Sequence, residues 1–178
     1  TNQDHEANTG VWRRLKNSGY LIKEWKVRKN TGSLFIDDLK KILDEERVDY
    51  VYQTVLNGTA GAVKAALKKK SASSSKLLIL CGDIPFIKSS SIKKIVNKLK
   101  NFDAVVGTVE LDSPSGYGRI IRQNNKFQSI VEEKETSQDQ RHIREVNTGI
   151  IAINEKVLRT YISQINNNNV KKEYYLTD

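Results

Sequence analysis

An aspartate directly after an apolar run is the first candidate for chemistry in this 178-residue sequence. Asp83 follows the run KLLIL, residues 76–80, through Cys81 and Gly82. Ligands of α/β sheets bind beyond the ends of strands, and a carboxylate there suits an oxygen-preferring cation such as Mg²⁺. A turn that the Asp83 side chain caps explains the same residues equally well. The motif taken alone therefore leaves both interpretations open.

Two glycine-containing turns are the next candidates. In NGTAG, residues 57–61, Gly58 and Gly61 bracket a helix start, where backbone N–H groups favour an anion or the polar edge of a base. The motif matches neither common glycine-rich phosphate loop, and a plain helix start is the more frequent explanation. The stretch 113–135 predicts two tight turns and a hairpin that ends in the charged run EEKE, residues 132–135.

The elements that must position these residues alternate between strand and helix. We predict strands in VDYVYQT, KLLIL, DAVVGTVEL and EVNTGIIAIN, and helices in IDDLKKILDEER, NGTAGAVKAALKKK, KSSSIKKIVNKLK and EKVLRTYISQI. Serines are expected to cap the helix in KSSSIKKIVNKLK. The alternation predicts an α/β fold with a mainly parallel sheet.

Composition limits the function classes. The apolar runs are too short to cross a membrane, so no membrane partner is expected. The single cysteine, Cys81, excludes an intrachain disulfide and favours a reducing, cytoplasmic setting. The net charge of +9 suits anionic phosphate substrates.

The basic charge is concentrated in residues 11–30, which hold seven Lys or Arg, one acid and both tryptophans. Basic residues interleaved with aromatic ones can bind nucleic acid through phosphate contacts and stacking. Charge runs are more often a solvated surface, so nucleic acid is the less favoured partner.

Four strings resemble one family in order and spacing: LCGDIPFI, VELDSPSGYGRIIRQNNKFQSIVEEK, REVNTGI and EYYLTD. They are similar to the uridyltransferase domain of the bacterial bifunctional N-acetylglucosamine-1-phosphate uridyltransferase/glucosamine-1-phosphate acetyltransferase. The resemblance implies a three-layer Rossmann-like nucleotidyltransferase fold with a mixed, mainly parallel sheet. It predicts a partial sugar-nucleotidyltransferase domain over residues 36–178, preceded by a divergent basic segment over residues 1–35.

The resemblance implies that UTP and N-acetylglucosamine 1-phosphate are converted to UDP-N-acetylglucosamine and pyrophosphate, with Mg²⁺ as cofactor. The product is a precursor for peptidoglycan and lipopolysaccharide. The implied uracil contacts are Gln53, Gly58 and Thr59. The implied nucleotide contacts are Cys81, Gly82 and Asp83, with Asp83 as the metal ligand and the catalytic residue that acts through magnesium. The implied sugar contacts are Gly118, Glu132, Asn147, Tyr175 and Thr177.

We expect Gln53, Gly58, Asp83, Gly118, Glu132 and Asn147 to converge on one crevice at the carboxyl edge of the sheet. Glu132 is expected to accept a sugar hydroxyl, whereas Glu133, Lys134 and Glu135 are expected to be only a solvated face.

The sequence also departs from the family. We find no glycine-rich triphosphate loop of the form G-x-G-T-x-M, no asparagine that serves as second magnesium ligand and no acetyltransferase domain in these residues. Gly61 stands where the family has histidine, and Cys81 stands where it has tyrosine. We therefore expect the chain alone to turn over poorly, and exposed strand edges to favour self-association.

Several alternatives to the uridyltransferase stay open at this point. One is an inactive relative or partner subunit that binds a nucleotide sugar. Another is a sister sugar nucleotidyltransferase with a different base or sugar, and a third is a nucleic-acid-binding module built on residues 11–30.

Overall fold

The computed structural model describes residues 49–71, 75–82, 84 and 87–178. The chain divides into two units between Tyr50 and Val51, and the second unit, Val51–Asp178, is the one described below. Three predicted features lie outside the described residues: the basic segment 11–30, the helix over 36–47 and the proposed role of Asp83 as a metal ligand. The predicted domain boundary after residue 35 stays a prediction.

Three helices and five strands form the described unit. In chain order they are α1 Thr59–Lys69, β1 Lys76–Ile79, α2 Ser89–Lys98, β2 Ala104–Glu110, β3 Arg119–Gln123, β4 Lys126–Val131, β5 Glu145–Asn154 and α3 Glu155–Tyr161. Two single-turn 3₁₀ helices, Glu133–Glu135 and Gln140–His142, lie between β4 and β5. Within the described residues, none of the helices has the length and apolar character that crossing a bilayer requires.

Two predicted local features are wrong. Residues 49–54, the described part of the predicted first strand, are not in a strand. Lys88 occupies the N-cap of α2, and no side chain makes a capping hydrogen bond there, so the predicted serine cap does not form. The helix begins at Ser89, and the serines occupy its first turn instead of its cap.

Strand β5 is the centre of the sheet. Along one side it pairs with β2, from Ala104 opposite Ile153 to Glu110 opposite Glu145. Along the other side β1 pairs with its carboxyl half, and β3 meets its amino end where Arg119 lies opposite Val146. Strand β4 pairs with the far side of β3. β5 therefore connects all the other described strands.

Every strand pair in the described unit is antiparallel. The predicted mainly parallel sheet is thus not confirmed in this part of the chain. Strands β1 and β2 do run in the same direction, as the β1–α2–β2 alternation predicts, but β5 lies between them and runs the opposite way. Alternation of strands and helices along a sequence gives no signal for a later strand that inserts between two earlier ones.

The pairing registers decide which chain ends meet. At the amino end of β5, Val146 lies opposite the start of β3 and Glu145 lies opposite the end of β2. The end of β4 pairs with the start of β3, and β1 points toward the same end but stops opposite Ile151. A crevice at this end is therefore built from strand starts as well as strand ends.

The hairpin between β3 and β4 has a local cause. Asn124 and Asn125 both have positive φ, 51° and 60°. Two left-handed residues in a two-residue turn form a type I′ turn, whose twist matches that of the flanking strands. Asparagine tolerates this conformation better than most residues. The turn therefore fixes where β4 starts and holds it against β3.

Helices α1 and α3 pack against the sheet through an apolar cluster, and a buried carboxylate adds hydrogen bonds between their segments. Leu67 of α1 packs with Leu158 and Ile162 of the α3 region, against partly buried residues of β1 and β5. Glu155 is completely buried. It accepts hydrogen bonds from Lys70 Nζ at 2.7 Å, from Arg159 Nε at 2.8 Å and from the Ser75 hydroxyl.

Candidate functional site

A bulge in β5 shapes one wall of the site. The pairing of β2 with β5 shifts register between Val106 and Thr108, so that Gly107 alone lies opposite residues 148–150 of β5. Gly149 has φ 73°, which favours glycine, and its N–H donates to Asn147 Oδ1 at 3.0 Å. The Thr148 hydroxyl donates to the Gly107 carbonyl at 2.7 Å. The bulge thus holds the Asn147 side chain in one orientation, as bulges near binding sites often do.

Cys81 packs on this bulge. A Cβ atom at Gly149 would lie 2.8 Å from Cys81 Sγ, so glycine leaves the space that the thiol side chain uses. Gly82, the next residue, is exposed, and a Cβ added there would meet nothing within 4 Å. The turn after β1 therefore reaches the same end of the sheet as Asn147. Asp83 itself lies outside the described residues.

Gly118 brings Asn147 and Glu132 together. The Asn147 N–H donates to the Gly118 carbonyl at 2.8 Å. A Cβ at Gly118 would lie 3.4 Å from both carboxylate oxygens of Glu132 and 3.1 Å from Ile130 Cγ2. Without a side chain at Gly118, the Glu132 carboxylate can lie close to the backbone. The start of β3, the end of β4 and the bulge of β5 thus converge.

The last residues of the chain complete this group. The Thr177 hydroxyl donates to Glu132 Oε1 at 3.2 Å. Burial, with nearby negative charges adding to it, raises the pKa of the Tyr175 phenol above its usual 10.0. The carboxylates that act on it are Glu173, Glu132, Glu135 and Asp178. The Tyr175 phenol therefore keeps its proton and remains a hydrogen-bond donor.

The predicted uracil contacts form a second group at the amino end of α1. Gly58 is the N-cap residue with φ 109°. The Tyr174 N–H donates to the Asn57 carbonyl at 2.7 Å, and the Ala60 N–H donates to the Tyr174 carbonyl at 2.9 Å. The Ala60 N–H has no partner within the helix, because it lies in the first turn. The Tyr174 carbonyl accepts it, so this N–H is not free to bind a ligand. Gln53 Nε2 donates to the Gly58 carbonyl at 3.1 Å.

Residues 174–177, the bridging segment, connect the two groups. Its Leu176 N–H donates to the Thr59 hydroxyl at 2.9 Å, and its Thr177 reaches Glu132. The structure therefore assembles Gly118, Glu132, Asn147 and Thr177 at one point, and Gln53, Gly58 and Thr59 at another, with the bridging segment between them. The roles given to these residues stay predictions.

The charged run after β4 is more than a solvated face, so that expectation is wrong for two of its residues. Glu133 forms an ion pair with Arg119 at 2.7 Å, and Arg119 is 1% exposed. Glu133 also accepts the Gly116 N–H at 3.1 Å. Glu135 accepts the Val170 N–H at 3.0 Å. Glu133 therefore holds the turn before Gly118, and Glu135 holds the loop at Val170 that precedes the bridging segment.

Two residues that support the site escaped the sequence interpretation. Asn169 accepts the Glu173 N–H at 3.1 Å and donates to the Glu173 carbonyl, so its amide closes the loop before the bridging segment. Its signal is an asparagine four residues before the EYYLTD string. The second residue is Arg119, which directly follows Gly118. Nothing in the sequence indicated its burial, because a charged residue at the start of a strand is usually exposed.

Acid is expected to destabilise this end of the sheet. A hydrogen bond from Arg119 lowers the pKa of Glu133 below its usual 4.5, and one from Arg122 lowers that of Glu145 in the same way. The unfolded chain takes up protons first, so this stabilisation is complete above about pH 4.5 and is lost as the pH falls through the lower folded pKa values. Thermal unfolding between about pH 6 and pH 3 measures the effect.

The matched variant for this prediction is the double change Glu133→Gln and Glu145→Gln. Its melting temperature should fall less steeply with acid than that of the unchanged protein, because the two titrating groups are gone. Equal slopes for the two proteins would contradict the assignment.

The Mg²⁺ site stays a prediction. Among the residues that the structure describes, no three His, Cys, Asp or Glu side chains lie close enough to share a metal ion. The predicted ligand Asp83 is outside that set.

Comparison with known sequences identifies relatives. A nucleotidyl transferase family model matches residues 18–177. The "Bifunctional protein GlmU" of Ruthia magnifica subsp. Calyptogena magnifica is 39% identical over 142 residues, which is 80% of this chain and 31% of that protein. The protein of the same name from Nitrosomonas europaea is 42% identical over 137 residues, 76% of this chain and 30% of that protein. The chain thus spans about a third of the length of these curated relatives.

Comparison with solved structures supports the fold. UDP-glucose pyrophosphorylase complexed with UDP-glucose matches with a TM-score of 0.56 and 14% identity, over 93% of this chain and 63% of that chain. The apo form of UDP-glucose pyrophosphorylase matches with a TM-score of 0.52 and 14% identity, over 93% and 64%. The GlmU relatives confirm the resemblance to the uridyltransferase domain that the sequence predicts. Since the family model covers nearly all of the chain, the protein belongs to the nucleotidyl transferase family and has its α/β fold.

Proposed function

We propose that this chain binds the sugar and the base in a uridyltransferase that converts UTP and N-acetylglucosamine 1-phosphate to UDP-N-acetylglucosamine and pyrophosphate. The observation that most supports this is the convergence of Gly118, Glu132, Asn147 and Thr177 from three strands and the bridging segment. The GlmU relatives support the resemblance to this uridyltransferase domain, and that resemblance implies the base and the sugar.

The chemistry of the converged groups suits a sugar. Glu132 offers carboxylate oxygens that accept hydroxyl hydrogens, and charge-assisted hydrogen bonds of this kind are the stronger ones. Asn147 uses its Oδ1 for the Gly149 N–H, which leaves its Nδ2 to donate to a sugar or acetamido oxygen. Gly118 leaves the space in which the Glu132 carboxylate lies beside the backbone. Donor and acceptor are thus held in fixed orientation before the substrate arrives.

The reaction itself demands positioning more than covalent chemistry. An oxygen of the sugar phosphate attacks the α-phosphorus of UTP, the new P–O bond forms, and pyrophosphate leaves with the electrons of the broken bond. The protein must bring two anions together and align them. Fixed contacts to sugar and base do this, and the net charge of +9 attracts both substrates.

We also propose Asp83 as a ligand of Mg²⁺, which when bound would neutralise phosphate charge. The support is its position in the sequence directly after Cys81 and Gly82, which follow β1. Calorimetric titration with UDP-N-acetylglucosamine with and without Mg²⁺ tests this proposal, and Asp83→Asn should abolish the difference.

Two further expectations stay proposals. The single cysteine supports a cytoplasmic location. Strand β4 pairs only with β3 among the described strands, and a strand edge of this kind supports self-association. Sedimentation of the purified chain at several concentrations tests the second.

Replacing Glu132 by glutamine is expected to weaken binding of UDP-N-acetylglucosamine by about tenfold, because a charge-assisted hydrogen bond becomes a neutral one. Isothermal titration calorimetry measures this. Asp139→Asn is the control, since it removes the same charge from an exposed side chain. Glu135 is unsuitable as a control because it holds the Val170 N–H. Equal losses in both variants would show that bulk charge alone attracts the ligand.

Calorimetric titration of the unchanged chain with two nucleotide sugars tests both the choice of sugar and the proposed function. We expect binding of UDP-N-acetylglucosamine that is tighter than binding of UDP-glucose, which lacks the acetamido group. Binding of neither nucleotide sugar would overturn the proposed function. Tighter binding of UDP-glucose would instead indicate a sister enzyme with another sugar.

A further inference from the structure

The carboxamide of Gln53 is held in a single orientation. Its Nε2 lies 3.1 Å from the Gly58 carbonyl oxygen and 3.1 Å from Asn57 Oδ1. A backbone carbonyl can only accept, so the Gln53 atom that faces it must be the nitrogen. Both amide hydrogens are then used, and among the described residues nothing donates to Oε1. Gln53 therefore presents an acceptor, and no donor, to a ligand.

Asn57 can take this position because residue 61 has no side chain. A Cβ at Gly61 would overlap Asn57 Oδ1 and would lie 2.8 Å from Asn57 Cγ. The same atom would lie 3.0 Å from Gln53 Nε2. The Asn57 backbone is fixed separately, since its carbonyl accepts the Tyr174 N–H at 2.7 Å. The space above Gly61 is thus filled by the Asn57 amide, which lies against Gln53 Nε2.

We propose that Asn57 is a positioning residue that selects the base. With the space at Gly61, it keeps Gln53 Oε1 available to accept a hydrogen from the base. Uracil carries a hydrogen on N3 and can donate it, whereas N3 of cytosine is itself an acceptor and is repelled. This inference rests on the proposed function, which places a pyrimidine nucleotide against Gln53.

The alternative orientation of Gln53 costs most while Asn57 is present, because the Asn57 amide adds a second acceptor to the Gly58 carbonyl. A flipped carboxamide would place Oε1 against both the Gly58 carbonyl and Asn57 Oδ1, two acceptors facing a third. Without the Asn57 amide one of these repulsions disappears, and Gln53 can turn its NH₂ toward N3 of cytosine. Removal of Asn57 therefore changes the choice of base more than the strength of binding.

The test is the ratio of affinities for UDP and CDP, measured by calorimetry on the full 178-residue chain. The unchanged protein should prefer UDP. Asn57→Ala should reduce the preference about tenfold, in the range that an unsatisfied hydrogen-bonding group accounts for. Asn57→Asp keeps an acceptor for Gln53 Nε2 and should retain the preference.

Gly61→Ala provides an independent check. Its methyl group should displace the Asn57 amide and also reduce the preference for UDP. In the Asn57→Ala background the same change should have a smaller further effect, because the displaced amide is already gone and only the 3.0 Å approach to Gln53 Nε2 remains.

The outcomes separate this inference from the proposed function. A reduced preference in Asn57→Ala with recovery in Asn57→Asp supports the positioning role. Equal weakening of UDP and CDP, or an unchanged ratio, overturns it and leaves the proposed function standing. A chain that binds neither UDP-N-acetylglucosamine nor UDP overturns both.

Discussion

Gly58→Ala is expected to destabilise the protein by about 3 kcal/mol or more and to weaken binding of UDP-N-acetylglucosamine at least about tenfold. The new Cβ would lie 2.5 Å from the Tyr174 carbonyl oxygen and 2.8 Å from its nitrogen. These are backbone atoms and cannot rotate away. The φ of 109° adds strain for any residue with a side chain. The bridging segment must therefore leave α1, and with it Thr177 leaves Glu132.

Gly116→Ala is the matched control for this change. Gly116 also has positive φ, 89°, but a Cβ added there would meet nothing within 4 Å. It should therefore show only the backbone strain, on the order of 1 kcal/mol, and unchanged ligand affinity. Chemical denaturation and calorimetry on both variants measure the difference. Equal effects of the two changes would show that the contact with Tyr174 is unimportant.

Glu155→Ala is expected to cost about 3 kcal/mol in the free energy of unfolding, the low end for loss of one partner of a buried ion pair. Its carboxylate binds Lys70, Ser75 and Arg159, which lie on three separate segments. The side chains of Lys70 and Arg159 are 42% and 29% exposed, so water partly compensates the charges left behind. Urea unfolding measures the loss.

Asp112→Ala is the matched control, because it removes an ion pair whose carboxylate is exposed, whereas that of Glu155 is buried. Asp112 pairs with Arg144, but its side chain is 95% exposed, so this change should alter stability little or not at all. A comparable loss in the two variants would mean that burial does not govern the contribution of these pairs.

Elements with a local cause were predictable. Strand β5 has the predicted ends, since polar residues flank its apolar run and a helix follows directly. The hairpin of β3 and β4 has its cause in the turn at Asn124 and Asn125. Family strings placed Gly118, Glu132 and Asn147 within the candidate site, and the structure brings these three residues together.

Features that depend on distant neighbours were not predictable. The direction of β5 follows from its insertion between β1 and β2, which no local pattern records. Arg119 is buried because Glu133 returns to it through the hairpin. The missing side chain at Gly61 leaves the space for the Asn57 amide beside Gln53, whereas the sequence interpretation treated Gly61 as part of a helix start and as a departure from the family.

The position of β5 also bears on how the chain folds as it leaves the ribosome. Ile79 of β1 has Ile151 of β5 as its partner. Strands β2 and β3 also pair with β5, so none of these three pairings can form before β5 has been synthesised. At about 5 to 20 residues per second, β1 is synthesised on the order of 10 s before β5 emerges. During this interval the β3–β4 hairpin can close by itself, whereas β1 and β2 keep open edges that favour aggregation. Slower translation or a lack of chaperones should therefore lower the yield of folded protein more than the stability of the finished chain indicates.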